Sequence, residues 1–368
     1  MLPIRSERPS SSPPRHQGLD ILRGIAVLLV LIFHLPGRLE TWPAWLRPLS
    51  YGGWCGVDLF FALSGFLVGG LLLRGYPQAD VGRFLVRRAL KIYPGFYVML
   101  AGLWLVCLTA GLHYPAGRWV SELLFVQNYR AGVNVPSWSL AVEEHFYLLL
   151  AAIIWWLGRC RAPVRVIPLI AGAVGIVMLT ARAAQAGPPF PFYPTHLRLD
   201  SLFWGVGLAA IVESFGLPAV LSWTTRHRSI LAVVGIVGCA APFLAWGEQR
   251  AMYVVGLSAF SFGALAWILL ALGQPAATTS TRWLARLGRD SYGIYLWHGP
   301  IYLAVGALPV KGLGDFAWST SVLLLVVSLA VGMAMSALIE WPVLRWRDRR
   351  LPGTIGVADA GHGLRFPA

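Results

Sequence analysis

LDILRGIAVLLVLIFH, residues 19–34, decides the fold class. Its apolar run lacks the polar face that a helix packed on a soluble core repeats every turn. The run approaches the ~20 residues needed to cross a bilayer core, yet it carries Asp20, Arg23 and His34. Its length, those charges and the lack of an A-x-A-like site argue against a cleavable signal. It reads as a first membrane span.

Similar blocks follow along the chain. Of 368 residues, 57% are hydrophobic and 12% charged, whereas a soluble domain averages roughly a quarter charged. Mean hydropathy is +0.64. So few charges cannot clothe a soluble protein of this size. The blocks predict about ten spans, near 19–36, 52–73, 92–112, 138–158, 164–181, 197–214, 229–246, 251–272, 291–309 and 316–340. The expected fold is therefore all-α and integral to the membrane, a single helical bundle with no added soluble domain and no internal repeat. Residues 1–17, rich in Pro, Ser and Arg, are expected as a disordered cytosolic tail, 18–345 as the transmembrane domain, and 346–368 as a basic and then loose cytosolic tail.

The net charge of +14 lies at the ends of the apolar blocks, so it orients the chain in a membrane and does not mark a nucleic-acid binder. With both termini in the cytosol, most of the 30 Lys and Arg residues fall on cytosolic segments. Arg38, Arg47, Arg118, Arg130, Arg182, Arg198, Arg250 and Lys311 are left on the outer side. Cys55, Cys107, Cys160 and Cys239 show neither C-x-x-C nor a histidine at ligand spacing, so no metal site is expected. They read as buried small residues, with a Cys55–Cys107 disulfide a lesser alternative.

Ionisable residues within spans cost several kcal/mol and mark functional sites by default. Eleven residues place His34 roughly 16 Å along the helix from Arg23. Counted from the predicted span ends, His34, Asp58, Glu143, Arg198 and Asp200 share one layer in the outer half, as a polar chamber would require. A histidine held by a carboxylate is a general base suited to neutral pH, and Asp58 or Glu143 is the expected partner. Glu144 diverges from Glu143 by ~100° and is expected at a helix–helix contact. The basic loop RFLVRRALKIYP, residues 83–94, places Arg87, Arg88 and Lys91 where phosphates would suit them. In SYGIYLWHGP, residues 291–300, Tyr292, Tyr295 and His298 share a helix face, with His298 expected nearer mid-membrane than His34. The same histidine and carboxylates would also serve the proton relay of a secondary transporter. Against that, the sequence shows neither an inverted repeat nor paired Gly/Pro-broken spans.

Taken together, these segments with GVDLFFALSGFLVGGLLL, VPSWSLAVEEHFYLL, LRLDSLFWGVGLA and the closing IEWPV resemble the acyltransferase-3 family of bacterial membrane acyltransferases, in the family's order over nearly the whole chain. The resemblance implies transfer of an acyl group, typically acetyl, from cytosolic acyl-coenzyme A to a hydroxyl of an O-antigen, exopolysaccharide or similar envelope glycan. Acyl-coenzyme A would be a co-substrate, with no bound cofactor, and the site would be the bacterial cytoplasmic membrane. The family's Arg-x10-His pair falls on Arg23 and His34, and its glutamate on Glu143. Its Arg-x-x-Arg motif falls on Arg88 and Lys91, where lysine keeps the charge but loses the bidentate fork. The implied catalytic set is His34 with Glu143 or Asp58, and the donor set is Arg23, Arg87, Arg88 and Lys91. Trp138, Ser139, Arg198, Asp200, Tyr292, Tyr295 and His298 are left as chamber, acceptor or oxyanion candidates.

Overall fold

A computed structural model describes residues 16–35, 42–185, 187–189, 191–244, 249–274, 278–306 and 318–352. Most of the predicted N-terminal tail, Arg38, Lys311 and residues 353–368 lie outside the described residues. Among those described, the regular elements are all helical. In chain order they are α1 (Gln17–His34), α2 (Arg47–Gly52), α3 (Gly56–Leu73), α4 (Val81–Thr109), α5 (Ala116–Leu123), α6 (Trp138–Arg159), α7 (Val166–Ala184) and α8 (Leu199–Phe215). There follow α9 (Leu217–Arg226), α10 (Arg228–Leu244), α11 (Gln249–Ala251), α12 (Leu257–Leu272), α13 (Arg282–Arg289), α14 (Ser291–Gly306), α15 (Trp318–Met335) and α16 (Trp341–Arg350).

Among the described residues, seven helical stretches are long and apolar enough to cross a membrane, and an eighth joins if α8 and α9, bent by 109°, form one broken span. The bend falls at Gly216, whose φ of +78° favours glycine. α10 and α14 are shorter, at 17 and 16 residues, so length alone does not reach ten. Residues 83–94, expected as a loop, lie inside α4, where Asp80 caps the first turn by accepting from the Arg83 amide at 2.9 Å.

Apolar residues cover both the inside and the outside of the bundle. α7 buries Ile167, Ala171, Gly175, Met178 and Arg182 on one stripe, while Leu169, Ile176 and Val177 on its other faces are exposed. Outward leucine and isoleucine suit a lipid surface, where helices associate through close packing and not through exclusion of water. Small residues provide that packing. Between α3 and α8, a Cβ on Gly65 would lie 1.9 Å from the Leu202 carbonyl oxygen, and one on Gly205 2.3 Å from the Ala62 carbonyl oxygen. α1 meets α13 in the same way, Gly24 against the Leu284 carbonyl and Gly288 against the Asp20 carbonyl.

Backbone cannot yield as a side chain can. Gly65→Val should therefore destabilise the bundle by about 1–3 kcal/mol or more, read as a lowered thermal midpoint of the detergent-solubilised protein.

Candidate active site

The layer predicted from span ends separates into distinct groups. The second apolar stretch runs from Ala44 to Leu73, so Asp58 lies at its middle. Gly53 packs on the Leu29 carbonyl and Gly56 on the Ala26 carbonyl, which sets Asp58 opposite the middle of α1, away from His34. Asp58 accepts from Arg198 Nη2 at 2.8 and 2.9 Å through its two oxygens, with both side chains 2% exposed. The Arg198 guanidinium lies 5.2 Å from the Trp138 ring centroid, closing its face with a cation–π contact. Asp200 pairs in turn with Arg182 at 2.7 Å, and Ser258 bonds both. Neither carboxylate is free to orient His34, and Arg198 is committed to Asp58 and not to an oxyanion. Arg182 and Arg198, taken from the sequence as outer-side charges, are buried inside the bundle. A charge that leaves water needs a partner within reach, and α8 supplies Asp200 for Arg182 while α3 supplies Asp58 for Arg198.

Glu143 belongs to a second group at the other end of α1. Arg23, Lys91 and Arg88 are all within electrostatic range of it. Its Oε2 accepts from Tyr147 at 2.8 Å, and Tyr147 meets Ser64 at 2.9 Å. Arg23 donates to Ser291 Oγ at 3.2 Å, and Arg88 lies 5.7 Å from the ring centroids of both Phe84 and Tyr147. Unlike Asp58 and Arg198, the side chains of Arg23, Arg88, Lys91 and Glu143 keep partial exposure. Glu144 turns away and accepts from Tyr93 at 3.1 Å across the α4–α6 contact. Glu340, which the sequence reading did not single out, is also within electrostatic range of Lys91 and Arg23. It ends a π-helical turn, Ser336–Glu340, and its Oε2 accepts from Ser336 Oγ at 3.2 Å. Arg87, expected with the donor set, points elsewhere, to Asp348 of α16 at 2.9 Å.

His34 stands with His298. Their ring centroids are 5.1 Å apart, so the two imidazoles are direct neighbours. His34 Nδ1 lies 2.9 Å from the Val30 carbonyl oxygen, which holds the proton on Nδ1 and leaves Nε2 as an acceptor. His298 repeats the arrangement, Nδ1 bonding the Tyr295 carbonyl, and its buried Nε2 has no hydrogen-bond partner among the described residues. The expected carboxylate partner of His34 is thus replaced by a main-chain carbonyl.

The remaining candidates fix the surroundings. Tyr292 donates to the Ile92 carbonyl at 2.6 Å, tying α14 to α4. Tyr295 donates to the Pro136 carbonyl and meets Ser139 Oγ at 2.6 Å, fixing the turn that opens α6. Glu122, also missed from sequence, is fully buried and accepts from the Asn134 amide at 2.9 Å and from Ser137 at 2.7 Å. Burial pushes its carboxyl up, and these donors pull it partly back. A lone acid in VSELLFVQ was the available signal. Asn134 packs its side chain on Gly299, next to His298. All four cysteines are free, and Cys160 is exposed, unlike the buried Cys55 and Cys107.

Residues 16–341 match the family described as "Acyltransferase domain". The chain belongs to this acyltransferase family. Among curated proteins, it is 29% identical over 361 residues to one named putative peptidoglycan O-acetyltransferase YrhL, from Bacillus subtilis, covering 89% of this chain and 54% of that protein. It is 29% identical over 336 residues to O-acetyltransferase OatA of Staphylococcus aureus, covering 82% and 53% respectively. A third relative, peptidoglycan O-acetyltransferase OatA of Listeria monocytogenes, is 26% identical over 320 residues, covering 77% and 49%. The chain spans about half the length of these relatives. No solved structure matches it. Family membership and the apolar helices make this acyltransferase a multi-pass membrane protein.

Because Asp58 neutralises a buried arginine, Asp58→Asn should cost about 3–5 kcal/mol of stability. The double variant Asp58→Leu, Arg198→Met should recover most of it, as measured by thermal unfolding in detergent. Full recovery of the melt would show that the pair's contribution is structural.

Proposed function

We propose that this chain takes an acyl group, acetyl first among them, from cytosolic acyl-coenzyme A and places it on a hydroxyl of an extracytoplasmic glycan. It would act in the bacterial cytoplasmic membrane with both described ends on the cytosolic side, as the cation asymmetry of the sequence favours. The observation that carries the reading is the tautomer of His34. With Nδ1–H given to the Val30 carbonyl, Nε2 is the proton acceptor that a general base requires. His298, held in the same sense 5.1 Å away, offers a second acceptor nitrogen. Two neighbouring acceptors suit a substrate that arrives as a donor of several hydroxyls, as a sugar does.

In this reading the glycan hydroxyl attacks the thioester carbonyl while His34 Nε2 takes its proton. The tetrahedral intermediate then collapses, the carbon–sulfur bond breaks, and the imidazolium returns the proton to the departing sulfur. Arg23, Arg88 and Lys91, grouped towards the other end of α1, receive the donor. Asp58, Asp200, Arg182 and Arg198 hold the helices and take no part in proton transfer. Three relatives carry O-acetyltransferase names, two of them specifying peptidoglycan, which favours a cell-envelope glycan as acceptor.

His34→Ala should lower acetyl transfer from acetyl-coenzyme A to peptidoglycan fragments by about 10²–10⁴-fold, with the thermal midpoint unchanged. The measurement is O-acetyl incorporation by mass spectrometry on reconstituted protein, and wild-type transfer in that variant would remove the proposal.

A further inference from the structure

The last helix brings a second set of cations to α4. Asp348 of α16 extends one carboxylate oxygen, Oδ1, which accepts from Arg87 Nη2 at 2.9 Å and from Arg347 Nε and Nη2 at 3.0 and 2.8 Å. Both guanidiniums are buried while the Asp348 side chain is 53% exposed. Arg87 also donates to the Leu351 carbonyl and Arg83 to the Pro352 carbonyl.

Here the fixed, buried members are the guanidiniums, and the carboxylate is the exposed, movable one. Three of the donors are given to neutral main-chain carbonyls, those of Leu351, Pro352 and Arg87, where an anion would add attraction between opposite charges. A phosphate would offer several anionic oxygens in place of the one carboxylate oxygen and the Leu351 and Pro352 carbonyls.

We propose that Arg83, Arg87 and Arg347 form a phosphate-binding site, closed in this structure by the chain's own Asp348 carboxylate and the Leu351 and Pro352 carbonyls. The site is continuous with the donor group, since Arg88 lies within electrostatic range of both Arg87 and Arg347. Its occupant is the phosphate-bearing end of the donor, whose thioester arm then runs past Arg88 and Arg23 towards His34. Identifying that occupant as coenzyme A rests on the function proposed above; the phosphate chemistry does not. Displacement of Asp348 and of residues 351–352 accompanies binding, so the C-terminal end of α16 acts as a latch that the donor opens.

Equilibrium binding of coenzyme A, and separately of inorganic pyrophosphate, to the purified full chain in uncharged detergent tests this. Arg347→Gln and Arg87→Gln should each weaken both ligands about tenfold or more, since charge-assisted bonds are lost. Asp348→Asn should tighten both several-fold, because an internal competitor is gone. A purely structural staple gives the opposite sign, with looser binding and a lowered thermal midpoint in Asp348→Asn, and that result overturns the inference. Should Arg347→Gln fail to fold, Arg347→Lys keeps the charge without the fork and should still weaken both ligands. Coenzyme A binding that none of these substitutions alters overturns the site and leaves the donor reading standing. Arg347-dependent pyrophosphate binding without coenzyme A binding upholds the site and removes the donor reading. Binding of neither ligand overturns the inference.

Discussion

A charge placed among helices whose outer faces are apolar must meet its counter-charge inside the bundle, and the Asp58–Arg198 pair is where this chain meets that demand most fully. Each ion loses its water, and the pair is compensated because both Asp58 oxygens accept from one guanidinium nitrogen while Trp138 and Phe61 cover the guanidinium. That geometry fixes α3 against α8 at the level of residues 58 and 198. The glycine contacts at Gly65 and Gly205 fix the same two helices further along. Arg182 and Asp200 then bind α7 to α8 by the same means. Three helices thus acquire one register, and α1 packs on the frame they form.

α1 gains its two-ended character from that packing. At one end Arg23 joins Arg88, Lys91, Glu143 and Glu340, contributed by α4, α6 and the π-turn before α16. At the other, His34 meets His298 of α14. The proline-bearing turn at 135–137 is held to Tyr295 and Glu122, and Asn134 contacts Gly299, so the neighbourhood of His298 is built from a loop and two helices. The histidine end is rich in acceptors. The arginine end is rich in cations. A reaction with an anionic donor and a hydroxylic acceptor fits that division.

Much of the fold was legible because membrane residence imposes long apolar runs, and seven of these, or eight with the bent pair, are helical stretches long enough to cross a membrane among the described residues. Depth was not legible. Asp58 looked superficial when counted from Gly52, but Arg47–Gly52 and the turn after it are also helical and extend the stretch outward. Glu143 looked level with His34 when counted from Trp138, but its electrostatic neighbours are Arg23, Lys91 and Arg88. Arg182 and Arg347 looked like topological charges at span ends, because nothing in a linear pattern tells a lipid-headgroup arginine from one folded back onto a carboxylate.

The sequence by itself determined the helical membrane bundle, the family, and the residue types that chemistry would need, since hydropathy and motif order are properties of the chain read in a line. Which acid meets which base was decided only by the tertiary structure. Asp58 went to Arg198, Arg87 to Asp348, and His34 to a main-chain carbonyl beside His298. Pairing of buried charges depends on helix register and rotation, and these are set by close contacts such as Gly65 on Leu202, between residues far apart in the chain.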